Sequence, residues 1–160
     1  MLFRFRKSVP PVIRPLHSDR AESCATIHAE SFAHPWSPAE FETLLSSKTT
    51  LGVAAIDAAS NALRGFALSR LAADEAESLT IAVHSPHRSR GIGRALMSDT
   101  LSRLADWRVR SLFLEVEQTN RAAIALYSRM GFREVGQRRG YYQKQRESAA
   151  TALVLRKDLA

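Results

Sequence analysis

Three short stretches of this 160-residue chain combine residue types that can do chemistry. The first is Arg88-Ser89-Arg90-Gly91-Ile92-Gly93-Arg94, lying between an apolar run and the start of a helical period. The first turn of a helix leaves its N–H groups unpaired, and the macrodipole favours anions there. Glycines let a ligand approach the backbone, and the arginines add positive charge. A diphosphate would suit such a turn, although glycines at this spacing also serve tight turns and close packing. The stretch is not a P-loop, because no Gly-Lys-Ser/Thr follows. Nor is it the dinucleotide fingerprint, because Leu96 stands where the third glycine belongs.

The second stretch is Leu112-Phe113-Leu114-Glu115-Val116-Glu117. Along a strand Leu112, Leu114 and Val116 share one face, and Phe113, Glu115 and Glu117 the other. Glu115 is then either a carboxylate on a solvated face or one placed for a purpose. If it is partly buried, desolvation would raise its pKa toward the range of a general base. The third stretch runs from Asn120 through Ile124 and Tyr127 to Met130-Gly131-Phe132. Offsets of four and seven put Asn120, Ile124 and Tyr127 on one helix face, with Tyr127 roughly 10 Å along the axis from the cap. Asn120 reads as a helix cap. A tyrosine on that face serves either core packing or proton transfer.

The elements that must position these residues are legible around them. Residues 12–14 form a short strand, and Ser18 caps a helix carrying Ala21, Cys24, Ala25, Ile27 and Phe32. Ser37-Pro38-Ala39-Glu40 starts a second helix, with a capping serine, proline at the first position and glutamate three residues on. Strands follow at 51–56, 64–71 and 78–83. From Ile92 the period lengthens, and Gly93, Met97, Leu101 and Leu104 fall on one face of a helix ending near Asp106. Residues 111–117 are a strand, a helix runs from Asn120 to a stop at Gly131, and strands at 132–137 and 151–156 end the chain. The order β-α-α-β-β-β-α-β-α-β-β predicts an α/β (α+β) fold, a mixed sheet flanked by four helices.

No repeat or long linker divides the chain, so a single domain over 1–160 is expected, with 1–10 flexible. The basic start is followed by Pro10 and Pro11 where a leader's apolar stretch would lie, and no apolar run approaches the ~20 residues of a membrane span. A lone Cys24 excludes an internal disulfide, which points to a cytoplasmic setting. The formal charge of +7 fits solubility, an anionic ligand or work near nucleic acid. Basic and aromatic residues mix between Arg138 and Arg146 as in RNA binders, but one short loop reads better as solvated, so nucleic-acid binding is not expected. His28, His34, His84 and His87 lack metal-ligand spacing, so no metal is expected.

Residues 81–132 together resemble the GNAT superfamily of N-acetyltransferases. The turn at 88–93 matches its [Gln/Arg]-x-x-Gly-x-[Gly/Ala] pattern; Leu114-Glu115-Val116 matches its central strand, and the Ala-Leu-Tyr…Gly-Phe run of 120–132 completes the match. The resemblance extends over roughly 12–158 toward the bacterial ribosomal-protein-alanine branch. It is carried by His28-Ala29-Glu30-Ser31-Phe32-Ala33-His34-Pro35-Trp36-Ser37, by Glu115 with Asn120 close behind, and by Arg138-Arg139-Gly140-Tyr141-Tyr142. Two departures stand out. Val83-His84-Ser85-Pro86-His87 carries its proline one place late, and Ala149-Ala150 stands where an acidic residue is common.

The resemblance implies a mostly antiparallel GNAT-like sheet and direct transfer of acetyl from acetyl-CoA to an amine. Glu115 would be the general base, through water, and Tyr127 the general acid. A backbone amide among Ile81, Ala82 and Val83 would polarise the thioester carbonyl. Arg88, Ser89, Arg90, Gly91, Ile92, Gly93 and Arg94 would bind the cofactor, the amides from Ser89 onward holding its pyrophosphate, and Asn120 would contact the pantetheine arm. The acceptor implied is the N-terminal alanine of a small-subunit ribosomal protein, met by Pro35, Trp36, Tyr141 and Tyr142. Trp36 reads equally as a hydrophobic staple before the Ser37 cap. The alternatives are a small-molecule amine or lysine acceptor, or a non-catalytic coenzyme-A-binding module.

Overall fold

The computed structural model describes residues 9–139 and 151–159. The expectations for Tyr141, Tyr142 and Ala149-Ala150, and for all but the end of 1–10, lie outside them. Among the described residues seven strands form one sheet: β1 Val12–Pro15, β2 Thr50–Ile56, β3 Leu63–Ala72, β4 Glu75–Val83, β5 Ser111–Glu117, β6 Arg133–Arg138 and β7 Ala152–Asp158. Their spatial order is β1-β2-β3-β4-β5-β7-β6. The helices are α1 Ala21–Ser31, α2 Pro38–Ser46, α3 Ile92–Asp106 and α4 Arg121–Arg129. The sequence order of strands and helices is the one expected. Every neighbouring pair is antiparallel except β4–β5, which the α3 crossover makes parallel. Among the described residues no helix is long and apolar enough to cross a membrane.

Side-chain alternation divides the core between the two sheet faces. Along β2, Leu51, Val53 and Ala55 join the cluster under α3 and α4, while Ala54 joins the one under α1 and α2. In the second cluster Phe41 of α2 meets Phe66 of β3 edge to face at 5.4 Å, both fully buried. Truncating either to alanine would cost about 3–5 kcal/mol.

The helix boundaries follow local chemistry. Ser37 and Glu40 form the capping box: Glu40 N–H donates to Ser37 Oγ at 3.2 Å, and Ser37 N–H to Glu40 Oε2 at 2.7 Å. Two expectations need correction. Ser18 makes no side-chain cap; it opens a single 3₁₀ turn, residues 18–20, from which α1 continues. The buried stripe of α3 is Ile92, Leu96, Met97, Thr100 and Leu104, with Leu101 only half-buried, because the helix lies across β2, β3 and β4 rather than along one strand.

The feature that creates the site is a divergence. β4 and β5 pair only at Glu75↔Ser111, Ala76↔Leu112 and Glu77↔Phe113. Two residues on, the register of β4 against β3 slips from Ser69↔Ser78 to Leu68↔Thr80, leaving Leu79 as an extra residue. Such a bulge bends its strand. Beyond it, among the described residues, β4 runs to Val83 paired with β3 alone, and β5 runs to Glu117 paired with β7 alone. The sheet is therefore split by a wedge-shaped gap.

Candidate active site

A cleft of about 340 Å³ fills this gap. Ser78, Leu79, Thr80 and Ile81 form one wall, and Leu114, Glu115, Val116 and Glu117 the other. Asn120, Ala123 and Tyr127 of α4 close one side, and Ser31 and Phe32 the other. Glu115 lies on the sheet face away from the core leucines, as the alternation requires, whereas Tyr127 comes from the α4 side. Both line the cleft because it passes between strands instead of lying on one face.

The Tyr127 residue is 7% exposed, and burial pushes its phenol above the usual tyrosine pKa. The hydroxyl therefore keeps its proton near neutrality and forms no hydrogen bond among the described residues. Its ring is fixed by the end of α4. Gly131, at φ +91°, lets the chain reverse so that Phe132 N–H donates to Tyr127 O at 3.0 Å and Gly131 N–H to Ser128 O at 3.1 Å. Phe132 then packs edge-on against Tyr127 at 5.6 Å.

The Glu115 side chain is 42% exposed, and its Oε1 accepts from Arg138 Nη1 at 3.2 Å. The carboxylate is exposed rather than partly buried. An exposed carboxylate beside an arginine is still within reach of water in the cleft. Asn120 does cap α4, its Oδ1 accepting from Ala123 N–H at 3.2 Å, and it also lines the cleft. Its Nδ2 group forms no hydrogen bond among the described residues. The Thr80 hydroxyl is buried at the cleft wall, also without a partner among them.

The edge of β4 offers backbone donors. His84 N–H donates to Arg64 O on β3 at 2.7 Å, so by alternation Ile81 and Val83 face the gap and Ala82 faces β3. One strand-length further lies the turn before α3. Ser89 and Gly91 both adopt left-handed backbone, at φ +61° and +82°, a pattern that curls successive N–H groups into an anion-binding concavity. The first intrahelical bond is Ala95 N–H to Gly91 O at 3.0 Å. Among the described residues no acceptor engages the backbone N–H groups of Ser89 to Arg94. A Cβ built on Gly91 or Gly93 would meet nothing within 4 Å, so the space over the turn is open. Arg90 and Arg94 reach solvent beside it.

Arg88 stands apart from that turn. Its Nε donates to Val83 O at 3.1 Å and its Nη2 to Ser31 Oγ at 2.8 Å. Next to it Glu30 accepts from Ser85 N–H at 2.9 Å and from His84 Nδ1 at 2.7 Å. These bonds tie the end of α1 to the turn that opens α3.

Of the expected acceptor residues, Pro35 is exposed and lines none of the cleft. Trp36 packs 5.5 Å from Phe41, one residue before the Ser37 cap and four after it, which is a hydrophobic staple. The side chain from this loop that does line the cleft is Phe32, 41% exposed. The sequence counts Phe32 among the apolar residues carried by the first helix. Its exposure follows from the helix ending at Ser31, leaving Phe32 extended at φ −126°, ψ 137°. Burial pushes the Cys24 thiol up to about 12, so it is inert.

The unengaged N–H groups, the open space above both glycines and the free β4 edge fit a long ligand carrying both a diphosphate and amide groups. A model of the acetyltransferase (GNAT) family matches residues 21–132. The N-alpha-acetyltransferase RimI of Mycobacterium tuberculosis (strain ATCC 25618 / H37Rv) is 37% identical over 155 residues, 93% of each chain. The ribosomal protein bS18-alanine N-acetyltransferase of Escherichia coli (strain K12) is 36% identical over 125 residues, 74% of this chain and 79% of that one. The crystal structure of the ribosomal-protein-S18-alanine N-acetyltransferase from Escherichia coli matches with a TM-score of 0.83 at 29% identity, covering 93% of this chain and 94% of that one. On the family match and on this identity along nearly its whole length, the chain belongs to the acetyltransferase (GNAT) family.

Proposed function

We propose that the protein acetylates the α-amine of an N-terminal alanine on a ribosomal protein, as the relatives named for bS18 do, with Glu115 as base and Tyr127 as acid. The observation that carries the chemistry is that one cleft, opened by the divergence of β4 and β5, is lined by both the carboxylate and the phenol. The acceptor is supported by similarity to bS18-alanine acetyltransferases over most of both chains. The lone buried thiol and the absence, among the described residues, of a membrane-crossing helix are compatible with a cytoplasmic setting.

Acetyl-CoA supplies the activated acetyl thioester. The Ser89 to Arg94 N–H groups hold its pyrophosphate at the positive end of α3, and Arg90 and Arg94 add charge. The free edge of β4 binds amides of the pantetheine arm as an added strand would, with Asn120 Nδ2 facing the same arm. An outward N–H of Ile81 or Val83 stabilises charge developing on the carbonyl oxygen. Glu115 takes the proton of the acceptor ammonium through water, since an ammonium has no lone pair to attack with. Tyr127 Oη holds a proton at neutral pH and delivers it to the departing sulfur.

Mass spectrometry of candidate N-terminal peptides incubated with enzyme and acetyl-CoA tests the reading. Acetylation confined to the α-amine of alanine-led ribosomal peptides is the expected result. Acetylation of small amines or lysine side chains in preference would replace the acceptor, and no turnover on any amine would leave a binding module.

A further inference from the structure

The cleft wall formed by Phe32 has its own support. His28, on the last full turn of α1, is 3% exposed. Its backbone O accepts from Phe32 N–H at 3.1 Å, and its ring stacks on the Phe32 ring at 4.2 Å. The other face of the imidazole meets Trp36 at 4.8 Å, and Nδ1 accepts from Trp36 N–H at 3.1 Å. Phe41 of α2 meets the ring edge-on at 5.3 Å. One residue thus pins both ends of the 32–36 loop. A nitrogen that accepts from a backbone N–H carries no proton, so the neutral ring has its proton on Nε2. An imidazolium would turn that acceptor into a donor facing a donor, inside an aromatic sandwich.

We propose that His28 is a positioning residue for the acceptor: neutral, it clamps the 32–36 loop and holds Phe32 in the cleft wall, and protonation releases that wall and weakens acceptor binding. The inference rests on the reading that the acceptor amine enters past Phe32. Among the described residues the charged group facing the ring is Glu40, from the first turn of α2. Burial lowers the pKa of His28 below 6.5, and Glu40 opposes that. The neutral clamp therefore persists at physiological pH and opens only under acid.

Two arms test this. In steady-state kinetics His28→Phe keeps a flat aromatic ring for stacking but removes the acceptor. The acceptor-peptide KM should rise about tenfold, the effect of one buried N–H left unpaired. kcat and the acetyl-CoA Kd should stay within about twofold. His28→Asn, which places an oxygen near the Nδ1 position, should recover part of the loss. The wild-type peptide KM should rise on acidification below 6.5, and that of His28→Phe should not. An unchanged peptide KM in His28→Phe, or an acid rise that persists in it, overturns the proposal.

The second arm needs neither a foldable His28 variant nor turnover. In Trp107→Phe, Trp36 is the remaining tryptophan. Its fluorescence should change in one transition below pH 6.5, as release of the loop separates the indole from the imidazole and exposes it to water; no transition on acidification while the protein stays folded rejects the clamp. If no peptide is acetylated, the acceptor reading and the proposal's link to acceptor binding fail together, while the transition still reports the clamp itself.

Discussion

The ring of Phe132 meets that of Tyr127 edge to face at 5.6 Å, and the same two residues are joined by a hydrogen bond from Phe132 N–H to Tyr127 O. The helix stop is therefore also the fixture that holds the phenol against the cleft. Gly131 makes it possible, at φ +91°. Gly131→Ala should lose about 1–2 kcal/mol, the cost of a left-handed L-residue, and its Cβ would press on Lys157 Nζ at 2.7 Å. Urea denaturation measures the loss. A variant of undiminished stability would show that the reversal tolerates a side chain.

Tyr127→Phe should fold as well as wild type, because the hydroxyl has no hydrogen-bond partner among the described residues. Turnover should fall about 10²-fold or more, the usual worth of a placed acid. The wild-type rate should hold through pH 10 and drop only above it, since burial raises the phenol's pKa and activity needs the protonated form. Wild-type turnover in the variant would return Tyr127 to a packing role.

Glu115→Gln should lower kcat about 10²-fold or more while leaving the acetyl-CoA Kd near wild type, because Glu115 lies on β5 and not on the turn before α3. Calorimetry and steady-state rates separate the two effects. A kcat indistinguishable from wild type across pH would assign the base elsewhere, with Glu117 the next carboxylate in the cleft.

Gly93→Leu separates cofactor binding from folding. Gly93 is helical, its Cβ would meet no atom within 4 Å, and leucine is the better helix former. Thermal stability should therefore hold or rise, while acetyl-CoA affinity falls at least about tenfold as the side chain fills the space for the pyrophosphate. Unweakened binding by calorimetry would move the diphosphate away from this turn.

Stability should decline in mild acid. Burial lowers His28, and burial followed by Arg64, His84 and Arg90 lowers His87, both from 6.5. Below that value the unfolded chain binds protons that the folded one refuses, so stability is full above pH 6.5 and is lost as pH falls toward the folded values. Calorimetric melting between pH 7.5 and 5 should show Tm falling in that window. A Tm that rises on acidification would mean that the two rings charge freely in the fold.

What the sequence by itself determined is what neighbouring residues encode. The Ser37 and Glu40 capping box, the alternation around Glu115, the lengthened period from Ile92 and the stop at Gly131 each lie within a few consecutive residues, so each element could be read with its caps. The turn at 88–94, Glu115 and Tyr127 were legible as three separate pieces, joined beforehand only by resemblance to a family. Only the tertiary structure decided how they meet. The Leu79 bulge, the early end of the β4–β5 ladder and the insertion of β7 between β5 and β6 depend on pairings between distant residues, which leave no local period. The same holds for Arg138 beside Glu115, and for His28, whose role exists only once Phe32, Trp36 and Phe41 close around it.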